Sequence, residues 1–556
     1  MKTVSEVLIK LLSDAGVRHI FGVPGDAINA LTEAIRLQDK IKFIHVNHEE
    51  SGAFAASAQA KLTGNLGVCC GTAGPGAIHL LNGLYDAKGD FAPVLAITGQ
   101  IESRFIGSNY HQEVDLHNLF SDVAIYNQVV TNPEQFPYVA MQAIKAALEH
   151  RGVAHLNIPV DIATKLVSHP DKWKFTPSHK IRTLANEDSI KAAAYLLNYR
   201  NKIVILGGIG CYDAVDEVFE LAQRLAAPIV HALKGKELFL ESHPLSIGGI
   251  GELGVKPAVK AVEDCDLIIL IGTDFPYFDF LPSNKNAIQI DINPHKLGRR
   301  ISLDIGLAGD AKTILNQLLP LIEKKSDQSF LKSVQKNKKD WQKEFEKEVN
   351  DKSNPIKPER LAYLVSEKAD KNAIIVSDTG LVTAWNARYF RIKKGQRYIL
   401  SGALATMAFS IGASIGAKLA YPDKQIICVT GDGGFSMLMT DFITAVKHKL
   451  KIIFIIFNNS KLGLITLEQE GKAGVPDYET DMCNPDFAQF AKICGGDGIL
   501  VREEVELETA LDKAFSSDLP FIVNVMIEPK EILMPPKISA ADAFNYIKAK
   551  IKEKLA

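Results

Sequence analysis

The stretch GDGGFSMLMTDFITAVKHKLKIIFIIFNN, Gly431 to Asn459, sets an acid between glycines at the end of one apolar run. It sets two asparagines at the end of the next. An aspartate carboxylate and an asparagine carbonyl are hard oxygen ligands of the kind that hold Mg2+. QIICVT and KIIFIIF read as buried parallel strands, with SMLMTDFITAVKHK as the crossover helix between them. Parallel strands joined in this way bring their carboxyl ends to one sheet edge, where ligands of open α/β sheets collect. Glycines there let backbone N–H groups approach a phosphate, and a helix start adds partial positive charge. The stretch predicts a Mg2+–diphosphate clamp. Its glycine turn carries no lysine, which separates it from the nucleotide P-loop.

The elements that must position such a clamp fall into three α/β blocks, each alternating short Val/Ile-rich runs with helical patterns. The first spans 1–168, with strands expected in RHIFGVPGD, IKFIHVNHEE, LGVCCGTAGPG, APVLAITGQ and VAHLNIPVD. A Pro- and charge-rich linker, VSHPDKWKFTPSHKIR, leads to the second at 183–325, with KIVILGGIG, APIVHAL, LIILIGTDFPY, AIQIDINP and LAGDAK. A lysine-rich stretch from Lys324 to Pro355 reads as a solvated helix. The third block, 355–535, holds AIIVSDTG, RYIL, the two clamp strands and PFIVNVMIEP. Non-alternating apolar strands predict mostly parallel sheets covered on both faces, hence three Rossmann-like domains of α/β class. The tail, 536–556, puts Phe544, Ile547, Ile551 and Leu555 near one helical stripe among lysines. That pattern reads as a helix docked on its own protein or as a basic amphipathic helix touching an anionic membrane.

Composition narrows the function classes. The 556 residues carry a formal net charge of -2, which gives no electrostatic case for a nucleic-acid partner. The seven cysteines form no CxxC pair, so neither a zinc site nor a disulfide framework is expected, and a reducing cytoplasm is the simplest setting. No apolar run is long enough to span a bilayer, and MKTVSEVLIKLLSDAG reads as an amphipathic helix rather than a leader peptide.

The pairing of GDG with NN after one intervening helix resembles the thiamine-diphosphate motif, and nearly the whole chain resembles the pyruvate oxidase and acetolactate synthase family. The resemblance implies Asp432, Asn459 and the main-chain carbonyl of Lys461 as Mg2+ ligands. Gly433, Gly434, Gly463, Leu464 and Ile465 are implied cofactor neighbours. It also requires a glutamate from another domain. Glu49, directly after His48 in VNHEESGAFAASAQAKLTG, is implied to hydrogen-bond the aminopyrimidine and promote its imino tautomer. Pro24 and Gly25 in GVPGD and the loop GTAGPG resemble the pyrimidine side. Thr379 and Gly380 in SDTG resemble the diphosphate side. Ala405, Thr406 and Met407 resemble the segment that wedges under the cofactor.

Within that family the flavin-dependent pyruvate oxidases, in their quinone-linked branch, are the closest resemblance. It rests on GPGAIHLLNGLYDAKGDFAPVLAITGQ, NNSKLGLITLEQE, GTDFPYFDF and MPPKI. Glu468 stands where the acetolactate-forming branch is expected to carry Trp. FAD contacts are implied at Gly249, Ile250 and Gly251, at Gly272, Thr273, Asp274, Phe275 and Pro276, and at Asp291 and Asp310. Two residues depart from the oxidase pattern: Leu464 replaces an aromatic, and His111 precedes Gln112 and Glu113 where the oxidases show Phe-Gln-Glu. Glu49, His111, Gln112, Leu464 and Glu468 are thus the implied catalytic set. The implied activity is oxidative decarboxylation of pyruvate via a thiamine diphosphate enamine. Electrons pass to FAD and then to quinone or O2, giving acetate or acetyl phosphate with CO2. Acetolactate synthesis from two pyruvates is the alternative. A homotetramer with sites between subunits is implied, cytoplasmic and possible at the inner membrane face through the tail.

Overall fold

The computed structural model describes residues 1–176, 183–531, 533, 535–537 and 540–555. The linker's last six residues and Met534 and Ile538 of MPPKI lie outside them.

Three six-stranded sheets, all parallel, follow one another along the chain. Across the first, the strands run Lys42–His45, His19–Gly22, Gly67–Gly71, Val94–Gln100, Val153–Pro159 and Ala124–Val129. The second runs Ser246–Gly249, Ile229–His231, Ile203–Gly207, Leu267–Ile271, Asn286–Asp291 and Ile305–Ala308. The third runs Arg397–Ile399, Ile374–Ser377, Ile426–Gly431, Ile452–Asn458, Phe521–Met526 and Asp497–Val501. The fold class is thus the one expected. Each sheet gains one strand that the apolar runs do not announce: Ala124–Val129, Ser246–Gly249 and Asp497–Val501. All three are edge strands, with one neighbour and less to bury, so they carry no long apolar run. A two-residue antiparallel pair, Lys2–Thr3 with Leu166–Val167, closes the first domain.

The crossover between the clamp strands is two helices, Asp432–Leu438 and Phe442–Lys447, joined by one tight turn. The lysine-rich stretch is the helix Ser329–Val349, and it is not free in solvent. It buries Leu331, Val334, Phe345 and Val349, and the ammonium of Lys338 donates to the carbonyls of Glu241 and Ser246. Its other lysines, Lys332, Lys336, Lys339, Lys343 and Lys347, lie on the exposed side of the helix.

The first and third domains meet along two helices, Glu49–Thr63 and Phe409–Ala420. Their close approach is allowed by glycine: a Cβ on Gly412 or Gly416 would overlap the backbone of Ser51 or Ala55. Phe54 and Phe409 meet edge to face at 5.6 Å across this seam. Lys61 joins it to Asp86 at 2.8 Å and Asp90 at 2.7 Å, and Lys234 of the central domain reaches Asp90 at 2.8 Å. Gly416→Val is expected to cost about 3 kcal/mol, the upper end for overpacking, because the clash is with backbone. The check is the thermal unfolding midpoint, which an unimportant seam would leave unchanged.

The tail helix Ala540–Leu555 docks on Glu468–Gly474. Lys550 pairs with the buried Glu470 at 2.7 Å, and Asn545 donates to the Lys472 carbonyl at 2.8 Å. The apolar stripe is not the docked face: Phe544, Ile547 and Ile551 stay exposed. Among the described residues no helix is long and apolar enough to cross a membrane.

Candidate active site

The two clamp strands are neighbours in register, Gly431 opposite Phe457, so Asp432 and Asn459 leave the sheet at one edge, as their spacing predicts. Asn458 is buried and turned inward, donating to Asn524 Oδ1 at 3.1 Å, which leaves Asn459 as the outer amide. Asn459 Oδ1 accepts the Lys461 N–H at 3.1 Å, folding the chain back across the strand end. The Lys461 ammonium is held away by Asp477 and by Asp481 at 2.8 Å. Asp432 is buried, and burial pushes its carboxyl up to about 6. Its Oδ2 accepts from Asn484 Nδ2 at 2.6 Å. Carboxylate, amide and peptide oxygens at the ends of two neighbouring strands form a hard donor set that fits Mg2+.

The glycines leave room that a side chain would fill. A Cβ on Gly433 would lie 2.9 Å from Leu462 and 3.2 Å from Met407, which brings the Met407 segment to the turn. A Cβ on Gly434 would lie 2.5 Å from Asp378 Oδ2. That carboxylate also accepts from Ser410 at 2.9 Å and Thr430 at 2.8 Å, and burial lifts it to about 6. Asp378, beside Thr379 and Gly380, is therefore a strut under the glycine turn that the sequence does not single out. Ala405 and Ala408 bracket Thr406 and Met407 with φ of 56° and 65°. Left-handed alanines are costly, and such strain clusters at ligand clamps. Gly463 packs on Asn459 and opens the short helix Gly463–Leu467, which carries Leu464 and the exposed Ile465. The helix widens into a π turn over Glu468–Ala473, where Glu468 is solvent-facing, 3.9 Å from Lys472.

The other half assembles around Glu49. Its side chain is buried, with Oε2 2.9 Å from His79 Nδ1 and Oε1 against Gly76. His79 stacks on His48, ring centroids 4.5 Å apart. Glu50 instead accepts from Asn82 at 2.6 Å, so Glu49 is the acid set into the glycine loop. Gly25 next to Pro24 packs on Thr72 of GTAGPG, and Gly74 of that loop packs on Gln112. Gln112 has φ of 61°, and His111 beside it is exposed. His79, absent from the expected set, had one signal in sequence: its place a single turn after GPG.

These halves touch through Asn82, which also donates to Thr406 at 2.9 Å. Among the described residues no hydrogen bond or ion pair joins Glu49 to Asp432, Asn459 or Lys461.

On the central sheet the expected flavin residues gather at the carboxyl edge. Gly208 and Gly210 pack against Gly272 backbone to backbone, and Gly251, at φ of 104°, packs on Phe275 and Tyr277 next to Pro276. The turn between holds Gly249 and Ile250 beside the buried His231, whose Nε2 has no partner among the described residues. Asp291 ends its strand buried, its carboxyl raised by burial, with one oxygen on the Asn293 N–H at 2.8 Å. Asp274, after Thr273, is engaged by Arg299 at 2.7 Å and Arg300 at 3.2 Å. Asp310 caps the helix Ala311–Leu318 through Thr313. A glycine-lined edge with an orphaned imidazole and flanking arginines fits a dinucleotide.

The chain matches three family profiles: the N-terminal TPP binding domain of thiamine pyrophosphate enzymes over residues 2–119, their central domain over 190–318, and their C-terminal TPP binding domain over 378–525. The chain is a thiamine pyrophosphate enzyme. The clamp falls inside the C-terminal match and Glu49 inside the N-terminal one. Among its relatives, protein YdaP of Bacillus subtilis is 41% identical over 99% of this chain and 96% of its own. The pyruvate oxidase of Lactiplantibacillus plantarum is 32% identical over 94% of this chain and 88% of its own. An acetolactate synthase large subunit of Buchnera aphidicola is 30% identical over 96% of both. This thiamine pyrophosphate enzyme therefore has relatives named for both of the activities weighed above.

Proposed function

We propose that this enzyme oxidatively decarboxylates pyruvate, with FAD on the central sheet as first electron acceptor and quinone or O2 as the second. The glycine-lined edge around Gly251, Gly272 and Asp291 carries this reading, because acetolactate formation makes no redox use of such a seat. Asp432, Asn459 and the Lys461 carbonyl would hold Mg2+, and Met407 would support the cofactor from below. When bound, thiamine diphosphate supplies an electron sink for decarboxylation. Glu49 holds a proton at the aminopyrimidine, with His79 fixing its carboxylate. Gln112 and His111 offer donors to the pyruvate carboxylate, and Leu464 and Glu468 border the reacting face.

The test is product analysis with a flavin titration. Stoichiometric FAD uptake, weakened at least tenfold in Asp291→Ala, with acetate or acetyl phosphate as product supports the reading. Acetolactate as the main product, with no flavin uptake, would overturn it. His111 on the substrate-side loop is the observation that favours acetolactate synthesis as the second reading.

We also propose that each site is completed by a second copy in a closed oligomer, since Glu49 makes no bond to the clamp of its own chain. Mixing inactive Glu49→Gln with inactive Asp432→Asn protein then restores activity in hybrids; no recovery would place each site within one chain. The open Phe544, Ile547 and Ile551, flanked by lysines, support peripheral contact with an anionic bilayer, read out by vesicle co-sedimentation.

A further inference from the structure

A cavity of about 210 Å³ lies where the Gly254–Val255 turn of the central domain, the helix Ser329–Val349 and the third domain meet. None of the residues placed in the two candidate sites lines it. Its walls carry four carboxylates, Glu344, Glu348, Glu359 and Glu531, and two indoles, Trp341 and Trp385. Glu359 is only 7% exposed, and its Oε2 has no hydrogen-bond partner among the described residues. A buried, unpaired carboxylate oxygen is expensive, and a site that keeps one is poised for a cation. The other acids are partly engaged: Glu348 accepts the Tyr389 hydroxyl at 2.8 Å, and Glu531 pairs with Lys357 at 2.6 Å.

The ligand's chemistry follows from charge and spacing. The lining cations are Lys256, 3.9 Å from Glu344, and Arg388, which donates to the Glu252 carbonyl at 3.2 Å. Four carboxylates against Lys256, Arg388 and the Lys357 paired with Glu531 leave one net negative charge, on the side of Glu359, Glu344 and Glu348. The acids do not converge on one point. Among the described residues, the group of metal-ligating side chains whose atoms lie within 4.8 Å of one another is His48, Glu49 and His79. A single metal ion is therefore a poor fit. Separated carboxylates with indole walls suit ammonium groups joined by methylenes, since indole faces attract cations and cover apolar carbon.

We propose that this cavity binds a short linear aliphatic diamine as its dication, one ammonium on Glu359 and the other toward Glu344 and Glu348. Because its walls come from the central domain, the connecting helix and the third domain, occupancy ties these segments together and stabilises the folded chain by mass action. Burial lifts Glu359 to about 7, with the charges of Glu531 and Glu348 adding and Lys357 opposing; Glu344, Lys256, Arg388 and Tyr389 also face the cavity. A dication favours the ionised form, so below pH 7 a proton must leave on binding, and the apparent affinity falls with acid.

Calorimetry on the full chain with 1,4-diaminobutane tests this, with butylamine and MgCl2 at matched ionic strength as controls. The expected result is one saturable site per chain, tighter at pH 8 than at pH 6. Glu359→Gln should weaken it at least tenfold and Glu344→Gln, at an exposed residue, several-fold. Both changes are near-isosteric and leave the fold intact, which the thermal midpoint verifies. No saturable heat, equal affinity in Glu359→Gln, or equal binding of butylamine or Mg2+ would overturn the proposal.

Discussion

Glu49→Gln is expected to lower kcat/KM for pyruvate by roughly 100- to 10,000-fold, the range for losing a positioned proton-transfer group. That corresponds to about 3–5 kcal/mol of transition-state stabilisation. The geometry explains why the loss should fall on chemistry rather than on binding. Glu49 sits buried on the first turn of its helix, fixed by His79 at 2.9 Å, with Gly76 leaving space beside it. Glutamine keeps that shape and can still meet His79, but it cannot take up or release the proton. Cofactor affinity should change little. Deuterium exchange at C2 of the bound cofactor should slow in parallel with turnover. Unchanged exchange in the variant would remove Glu49 from the account, and Glu50, held by Asn82, would become the acid to test.

Asp432→Asn carries the second large effect: Mg2+-dependent cofactor binding weakened by at least on the order of 100-fold. Loss of an outer partner of a metal ligand ordinarily costs 10- to 100-fold, and a direct ligand costs no less. Asn484→Ala supplies the internal scale, since Asn484 only hydrogen-bonds Asp432 Oδ2 and should cost about tenfold. Misfolding can be told apart from lost binding by the sign of the stability change. Burial raises the Asp432 carboxyl to about 6, so at pH 7.5 it is ionised against the preference of its site. The neutral amide relieves that cost, and the cofactor-free variant should melt no lower than the wild type. A lower midpoint together with unaltered cofactor affinity would contradict the ligand assignment.

The clamp was legible because its logic is local. Two apolar runs, one helical span apart, force Asp432 and Asn459 to the same sheet edge. The resemblance named Asn459 rather than Asn458 as the ligand; the structure adds that Asn458 is buried in the sheet. Although Asp378 lies in SDTG and His79 follows GPG, the roles of His79, Asp378 and Asn484 were not legible, because they arise from packing between distant segments. The same reason hid the acid-lined cavity, whose four carboxylates come from three segments of the chain. Composition misled at two helices. Lysines on Ser329–Val349 masked a buried face. In the tail the apolar stripe suggested the docked face, but Asn545 and Lys550 make the contacts instead, through side chains paired with Lys472 and Glu470.

The measurement that bears most directly on the central claim is anaerobic mixing. Protein reconstituted with thiamine diphosphate, Mg2+ and FAD is combined with pyruvate while the visible flavin band is followed. Bleaching on the timescale of turnover is expected, lost in Glu49→Gln, with colour returning on addition of quinone or O2. An unchanged yellow band with acetolactate accumulating would contradict it and would make His111 and Leu464 the residues that set the reaction.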